Sequence, residues 1–314
     1  MTRPGPQPKV AQPSPDVTDR LTSGPTGMAM PWIAPERPAL DASRIPAYKR
    51  HVLTLEAKTL DVDVVGDIHG CAEELFALLT SAGYEIAAYQ DRGDTPIGIS
   101  HPQGRKLVFV GDLTDRGPRP DLTLRLTMGL VQSGAGYAVM GNHDWKIYRW
   151  LIGRKVSLTP NARDTIAVLL SLGEEFLYRC MDLYVRMPHQ ICIPVQKLDH
   201  APGATAIWIT HGAAPEALQG KETQEAFDRA IYGLPTGEVL PDGRPIREDW
   251  ALSYTGMDPV IHGHVVQETP YRMNRVIGID TGCAHGGALC LYHVDSDSTL
   301  LMPALKTVDP SHDL

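Results

Sequence analysis

Val62-Asp63-Val64-Val65-Gly66-Asp67-Ile68-His69-Gly70 is an apolar run that stops at a glycine and then delivers a carboxylate and an imidazole two residues apart. A short buried run ending in glycine and charge reads as a strand meeting a loop. Four more stretches repeat the pattern. Leu107–Val110 leads into Gly111-Asp112-Leu113-Thr114-Asp115-Arg116-Gly117, and Tyr137–Met140 into Gly141-Asn142-His143-Asp144. Ala206–Thr210 leads into His211-Gly212, and Pro259–Ile261 into His262-Gly263-His264. Ligands of open α/β sheets collect at the carboxyl ends of the strands, so the five loops are expected to converge.

Between these strands the spacing changes to helical. Leu75, Leu78, Leu79 and Ala82 share one face of Ala72–Ala82, and Gly83 follows as a stop. Leu122, Leu126 and Leu130 stripe Asp121–Val131, and a third helix opens directly after the Asn-His pair, at Asp144. Two further helical patterns, split at Gly173, fill about 160–188 and read as an insert beside the site. His51–Leu60 is expected as an edge strand, Tyr89–Arg105 as an aperiodic surface excursion, and Gln190–Val195, Val276–Ile279 and Ala288–Val294 as late strands. Residues 1–48 carry ten of the 26 prolines and little apolar periodicity, so they are expected as a disordered or loosely draped tail. The domain reading is therefore a single unit over 49–305 with short tails at 1–48 and 306–314.

Composition narrows the function classes. A net charge of −8 argues against a protein that wraps duplex nucleic acid, which needs Lys and Arg to neutralise phosphates. No run approaches the length of a membrane-spanning helix, and no basic region precedes an apolar stretch at the N-terminus, so no membrane partner is expected. Five cysteines with no CxxC pair fit a reducing compartment, and the expectation is cytoplasmic. No GxxxxGK[ST] loop is present, which leaves triphosphate-driven kinase chemistry unsupported.

The polar clusters carry the chemistry. Asp67, His69, Asp112, Asn142, His211 and His264 offer oxygen and nitrogen donors, with Asp112 the candidate carboxylate bridging two divalent metal ions. The absence of thiolate from the set favours manganese, with iron, zinc or nickel as alternatives, over a structural Cys-zinc site. Two dications against two carboxylates and one hydroxide leave a net positive charge, which suits a phosphate oxyanion. Bound water at such a centre becomes a nucleophile at neutral pH. His143 is the candidate general acid, oriented by Asp115, and Arg116 suits the non-transferring phosphate oxygens. Lys146 and Trp250 are weaker candidates for substrate contact, and Asp280 for hydrogen bonding a ligand histidine. A lone Asp-x-His or Asn-His-Asp would read as a turn or helix cap; five elements together do not. A retired, non-catalytic site would have lost a ligand or the acid, and none is missing.

At these residues the chain resembles the calcineurin-like metallophosphoesterases, in the branch related to phosphoprotein phosphatases. The signature GDxHG, GDxxDRG, GNH[DE], His-Gly and a late Gly-His stands at Gly66–Gly70, Gly111–Gly117, Gly141–Asp144, His211-Gly212 and Gly263-His264. The likeness covers about residues 60–295. It is closer still to the phosphatase module of bacterial polynucleotide kinase–phosphatases and related small bacterial phosphatases. His101–Lys106, Asn142–Lys146, Tyr232-Gly233, Thr236–Glu238, Asp249–Ala251 and Ile279–Cys283 carry that part of it. The resemblance implies an α/β fold, a four-layer αββα sandwich of two mixed sheets, and a dinuclear metal hydrolase. It implies the same six ligands, with Arg116 and His143 assisting.

Some positions depart from the pattern. The late element usually reads Tyr-Gly-His-Thr, and here it is His262-Gly263-His264-Val265, so His264 aligns with the ligand and His262 is left as a neighbour or substitute. The Ser-Ala-Pro-Asn-Tyr segment of eukaryotic protein phosphatases is absent, as are kinase and ligase modules. The expected activity is hydrolysis of a phosphate mono- or diester of a nucleotide-like substrate by a metal-bridging hydroxide. The expected partner is a small phosphorylated compound, with a nucleotide or an RNA end as candidates. The alternatives are a symmetrical bis(5'-nucleosyl)-tetraphosphatase and then a protein serine/threonine phosphatase.

Overall fold

A computed structural model describes residues 36–56, 60–239 and 245–305. Two sheets form its centre. One has five strands in the order Ser298–Pro303, Ala288–His293, Val62–Val65, Lys106–Phe109, Gly136–Ala138. Its three motif-bearing strands run parallel, and Ala288–His293 pairs antiparallel to Val62–Val65. The other has six, in the order Val52–Thr54, Gln190–Pro194, Ala206–Thr210, Val260–His262, Val276–Gly278, Tyr271–Met273.

The period of two along each strand explains why the sheets face each other. Val62, Val64 and Val108 from the first sheet, with Val110 and Val139 just past its strand ends, share one buried cluster with Ile191, Ile193, Ile207, Ile209, Ile261 and Ile277 from the second. The intervening residues Val65, Leu107, Phe109 and Ala138 turn the other way, into a cluster with the helices. Those helices are α1 (Ala72–Ser81), α2 (Pro120–Gln132), α3 (Asn142–Leu151), α4 (Pro160–Ser171), α5 (Glu174–Arg186) and α6 (Gln224–Tyr232). Burying each such Val, Leu or Ile contributes about 1.5–3 kcal/mol. The outer face of the six-stranded sheet is covered more thinly, by Trp250, Ala251, Tyr254 and Ala213 packed on Val260 and Val276. The fold is a mixed α/β sandwich.

Within Val62–Val65 every residue is buried, including Asp63. Its carboxylate accepts from Tyr84 Oη at 2.8 Å, Arg105 Nε at 2.9 Å and His293 Nδ1 at 2.8 Å. Burial alone would raise its pKa, but those donors outweigh burial and hold it below the usual carboxylate range.

The tail expected over 1–48 lies outside the described residues up to residue 35. From residue 36 onward the chain is described, and part of it packs on the domain. Tyr48 packs within 5.2–6.0 Å of the rings of Trp145, Tyr148 and Phe227, and its amide donates to Tyr148 Oη at 2.9 Å. Arg44 lies over the Tyr178 ring at 3.7 Å. Side chains from distant helices make this order, and no local period announces it. The 306–314 tail also lies outside the described residues. Among the described residues no helix is long and apolar enough to cross a membrane.

Candidate active site

Each motif loop leaves its strand in a tight turn, and the backbone shows it. Seven described non-glycine residues have positive φ, and five of them are His69, Asp112, Asp115, Arg116 and His264. Left-handed backbone at non-glycine residues costs free energy and persists where the surroundings over-determine it. The neighbouring glycines are required by close approach. A Cβ on Gly141 would collide with the carboxylate of Asp112, and one on Gly263 with that of Asp67. Asp144, buried at the start of α3, ties two loops together by accepting from Leu113 N at 3.1 Å and Gly141 N at 3.2 Å.

These turns bring five of the six expected ligands, Asp67, His69, Asp112, Asn142 and His264, to the wall of one cavity of about 310 Å³, with His211 buried behind them. Two groups of donor atoms meet there, His69–Asp112–His143 and Asp112–His211–His264, and Asp112 belongs to both. His211 Nδ1 faces the Val110 carbonyl at 3.0 Å, and a carbonyl only accepts, so Nδ1 carries the proton. Its bare Nε2 then points at Asn142 Oδ1 at 3.0 Å and Asp112 Oδ2 at 3.4 Å, acceptor against acceptor. His69 repeats the arrangement. Its Nδ1 donates to the Thr114 carbonyl at 2.9 Å, and Nε2 stands 3.6 Å from Asp112 Oδ2 with the Arg116 guanidinium against it. His264 Nδ1 lies 3.0 Å from His211 Nε2, while its Nε2 is buried without a hydrogen-bond partner.

The electrostatics match. Burial, then the charges of Asp280 and Asp112, raise the Asp67 pKa well above the ordinary value. Burial is also the first cause that lowers His69, His211 and His264, leaving neutral imidazoles. A buried cluster of carboxylates and neutral imidazole lone pairs, with the single Arg116 guanidinium at its side, is a donor set fitted to divalent metal ions.

The remaining candidates sort clearly. His143 Nδ1 lies 2.6 Å from Asp115 Oδ2, and its Nε2 is 3.9 Å from Asp112 Oδ2. Asp115 is itself held by Thr165 of α4, whose Oγ1 accepts its amide at 3.1 Å, so the helical insert braces the His143–Asp115 pair. Arg116 and Lys146 line the cavity. Trp250 does not. It is 5% exposed, packs on His262 at 5.4 Å between ring centres, and borders a different cavity, because its short helix sits on the outer face of the six-stranded sheet. His262 is also turned away from the cluster. Its nitrogens face the Gly263 carbonyl and Tyr271 Oη, both at 2.8 Å, and burial pushes its pKa down to about 4. Asp280 accepts from Gly282 N at 3.0 Å and shares a hydrogen bond with Asp67, with burial raising it to about 6. Arg247, which lines the same cavity, belongs to no motif and was legible only in three dimensions.

The family model described as calcineurin-like phosphoesterase matches residues 60–268. The chain belongs to the calcineurin-like phosphoesterases. As a member of that metal-dependent family it is a hydrolase of phosphate esters. The asymmetrical bis(5'-nucleosyl)-tetraphosphatase PrpE of Halalkalibacterium halodurans is 38% identical over 234 residues, which cover 73% of this chain and 88% of that protein. The protein of the same name from Bacillus subtilis is 35% identical over 249 residues, covering 79% and 97%. Among solved structures, a candidate diadenosine tetraphosphatase aligns with a TM-score of 0.54 at 22% identity, over 82% of this calcineurin-like chain and 99% of the other. A yeast protein serine/threonine phosphatase aligns at 0.51 and 12% identity, over 86% and 88%. Both show the shared phosphoesterase fold.

Proposed function

We propose that this phosphoesterase hydrolyses dinucleoside polyphosphates asymmetrically, at a centre of two divalent ions held by Asp67, His69, Asp112, Asn142, His211 and His264. The observation that carries the reading is Asp112, one carboxylate common to two groups of donor atoms. The nucleotide specificity rests on the PrpE relatives, whose names carry asymmetrical cleavage. A symmetrical tetraphosphatase and a protein serine/threonine phosphatase are not favoured by those relatives. Manganese is the proposed ion, from the oxygen and nitrogen donor set. A reducing, cytoplasmic setting agrees with five free thiols.

The bound ions supply Lewis acidity and a water activated near neutral pH. This chain's residues do the rest. Asp112 is oriented by the His143 amide, which donates to its Oδ1 at 3.0 Å. The His264 amide donates to both oxygens of Asp67 at 3.1 Å, fixing that carboxylate toward the cavity. Asp115 holds the Nδ1 proton of His143, so the Nε2 proton is the one available to a departing oxygen. Arg116, Lys146 and Arg247 bring positive charge to the polyphosphate chain.

Purified protein with Mn²⁺ should convert diadenosine tetraphosphate to AMP and ATP, and chelation should stop it. Two ADP as products would replace the asymmetrical reading with the symmetrical one. Release of phosphate from a phosphopeptide or an RNA end alone would overturn the substrate class. His143→Ala should slow hydrolysis of an alkyl phosphate by about 10²–10⁴-fold. Its effect on p-nitrophenyl phosphate should be far smaller, because nitrophenolate leaves without protonation. Equal losses on both would remove His143 from the acid role.

A further inference from the structure

Beside the metal cavity lies a second one of about 280 Å³, and the two share Arg247. They also divide a pair of neighbours on the chain, since Val266 lines the first and Val265 the second. Their chemistry is opposite. The metal cavity is lined by Arg116, Lys146 and Arg247, whereas past Arg247 the second is lined by the acidic residues Glu248 and Asp249 together with Trp250, Tyr271, Gln267 and Met273.

A phosphate chain is welcome in the first and repelled from the second. What fits the second is a flat, neutral group with N–H donors on its edge. Aromatic and thioether side chains supply apolar contact with a ring, and carboxylates accept from amino and ring N–H groups. The volume is close to the lower end of small-molecule sites, enough for a heterocycle and too small for a whole dinucleotide. Trp250 is buried with its indole N–H unpaired, an unspent donor beside the cavity. Asp249 lies near enough to Tyr271 to add to the rise of its phenol pKa to about 12, which burial leads.

The geometry points to this cavity as the seat of an amino-bearing purine base of the substrate, with Arg247 holding the phosphate chain at the passage between the two cavities. The inference rests on the nucleotide reading of the metal site and deepens it. It also assigns Arg247, Gln267 and Met273 to specificity, separate from the residues around the reacting phosphorus.

The test compares wild type with Gln267→Ala and Met273→Trp; Gln267 is exposed and Met273 is 36% exposed, so both variants should fold. The ratio of kcat/KM for diadenosine tetraphosphate to that for p-nitrophenyl phosphate should fall at least about tenfold in each, chiefly through KM for the dinucleotide. An unchanged ratio overturns the assignment. A second measurement needs no hydrolysis. Saturation-transfer NMR with adenosine, guanosine and uridine on chelator-treated wild type should show both purines bound more strongly than uridine, and Met273→Trp should lose the purine signal. Purine signal that is absent from wild type, or equal in the variant, overturns the base seat even if the dinucleotide is cleaved. Purine binding without dinucleotide cleavage would keep the seat and instead refute the proposed substrate.

Discussion

Asp63 lies within one strand and Asp67 in the loop two residues past its end, both buried, and the fold treats them in opposite ways. Asp63 is met by a guanidinium, a phenol and an imidazole, all within 2.9 Å. Asp67 receives one backbone amide at 3.1 Å and shares a hydrogen bond with Asp280, and the charges of Asp280 and Asp112 outweigh that of Arg116 beside it. A buried charge with its donors in place holds a structure together. A buried charge left among like charges makes sense only when a cation completes it. The difference separates a structural carboxylate from a functional one without reference to any motif.

Breaking each site should therefore give different phenotypes. The largest effect is expected at the functional site. Asp112→Asn keeps a side chain tolerated at positive φ but removes the shared charge, and activity with Mn²⁺ should drop about a thousandfold or more, the scale of several kcal/mol of lost charge stabilisation. Its urea midpoint in chelator should fall less than that of Asp63→Ala. Asp63→Ala should do the reverse, costing about 1–3 kcal/mol by removing the acceptor shared by Arg105, Tyr84 and His293 while Arg105 keeps Asp295 and Asp61, with kcat of the folded fraction unchanged. Urea melts and active-site-normalised kinetics on the two variants check the contrast. A loss of stability in Asp112→Asn as large as that in Asp63→Ala would dissolve it.

Smaller effects sharpen the comparison through pH. The Asp63 pKa is lower folded than unfolded, so its contribution is present above the unfolded value near 4 and is lost as pH falls through the folded value. Urea melts of metal-free protein should show wild type losing stability relative to Asp63→Asn on that acid side. Asp67 has the opposite sign. Its folded pKa is raised, so ionising it near neutrality opposes folding when no cation is bound. Asp67→Asn should thus raise the Tm of chelated protein at pH 7 by a few degrees, roughly 1 kcal/mol, and abolish the further rise that Mn²⁺ gives wild type. An Asp67→Asn protein less stable than wild type in chelator would contradict the unpaired-charge account.

What could be read from the chain follows from how local each signal is. The strand ends and their Gly-Asp, Gly-Asn-His and His-Gly loops are contiguous, and the residues the loops hold converge as the strand order requires. The helices from Ala72 and Pro120 follow their leucine stripes. The unread parts depend on meetings between distant residues. Tyr48 is ordered by α3 and α6, and Arg247 reaches the cavity from the hairpin strand Pro245–Arg247. Ser298–Pro303 alternates weakly and becomes a strand by pairing along the whole of Ala288–His293. Trp250 borders the second cavity and not the metal-site one because its short helix packs on the outer face of the six-stranded sheet, a placement set by tertiary packing.

Metal content measured on Mn²⁺-reconstituted, gel-filtered protein tests the central claim most directly. The account predicts about two equivalents per chain for wild type and for Asp63→Asn, and less than about one for Asp112→Asn, because a single carboxylate serves both positions. Two equivalents retained by Asp112→Asn, or fewer than one in wild type, would contradict it.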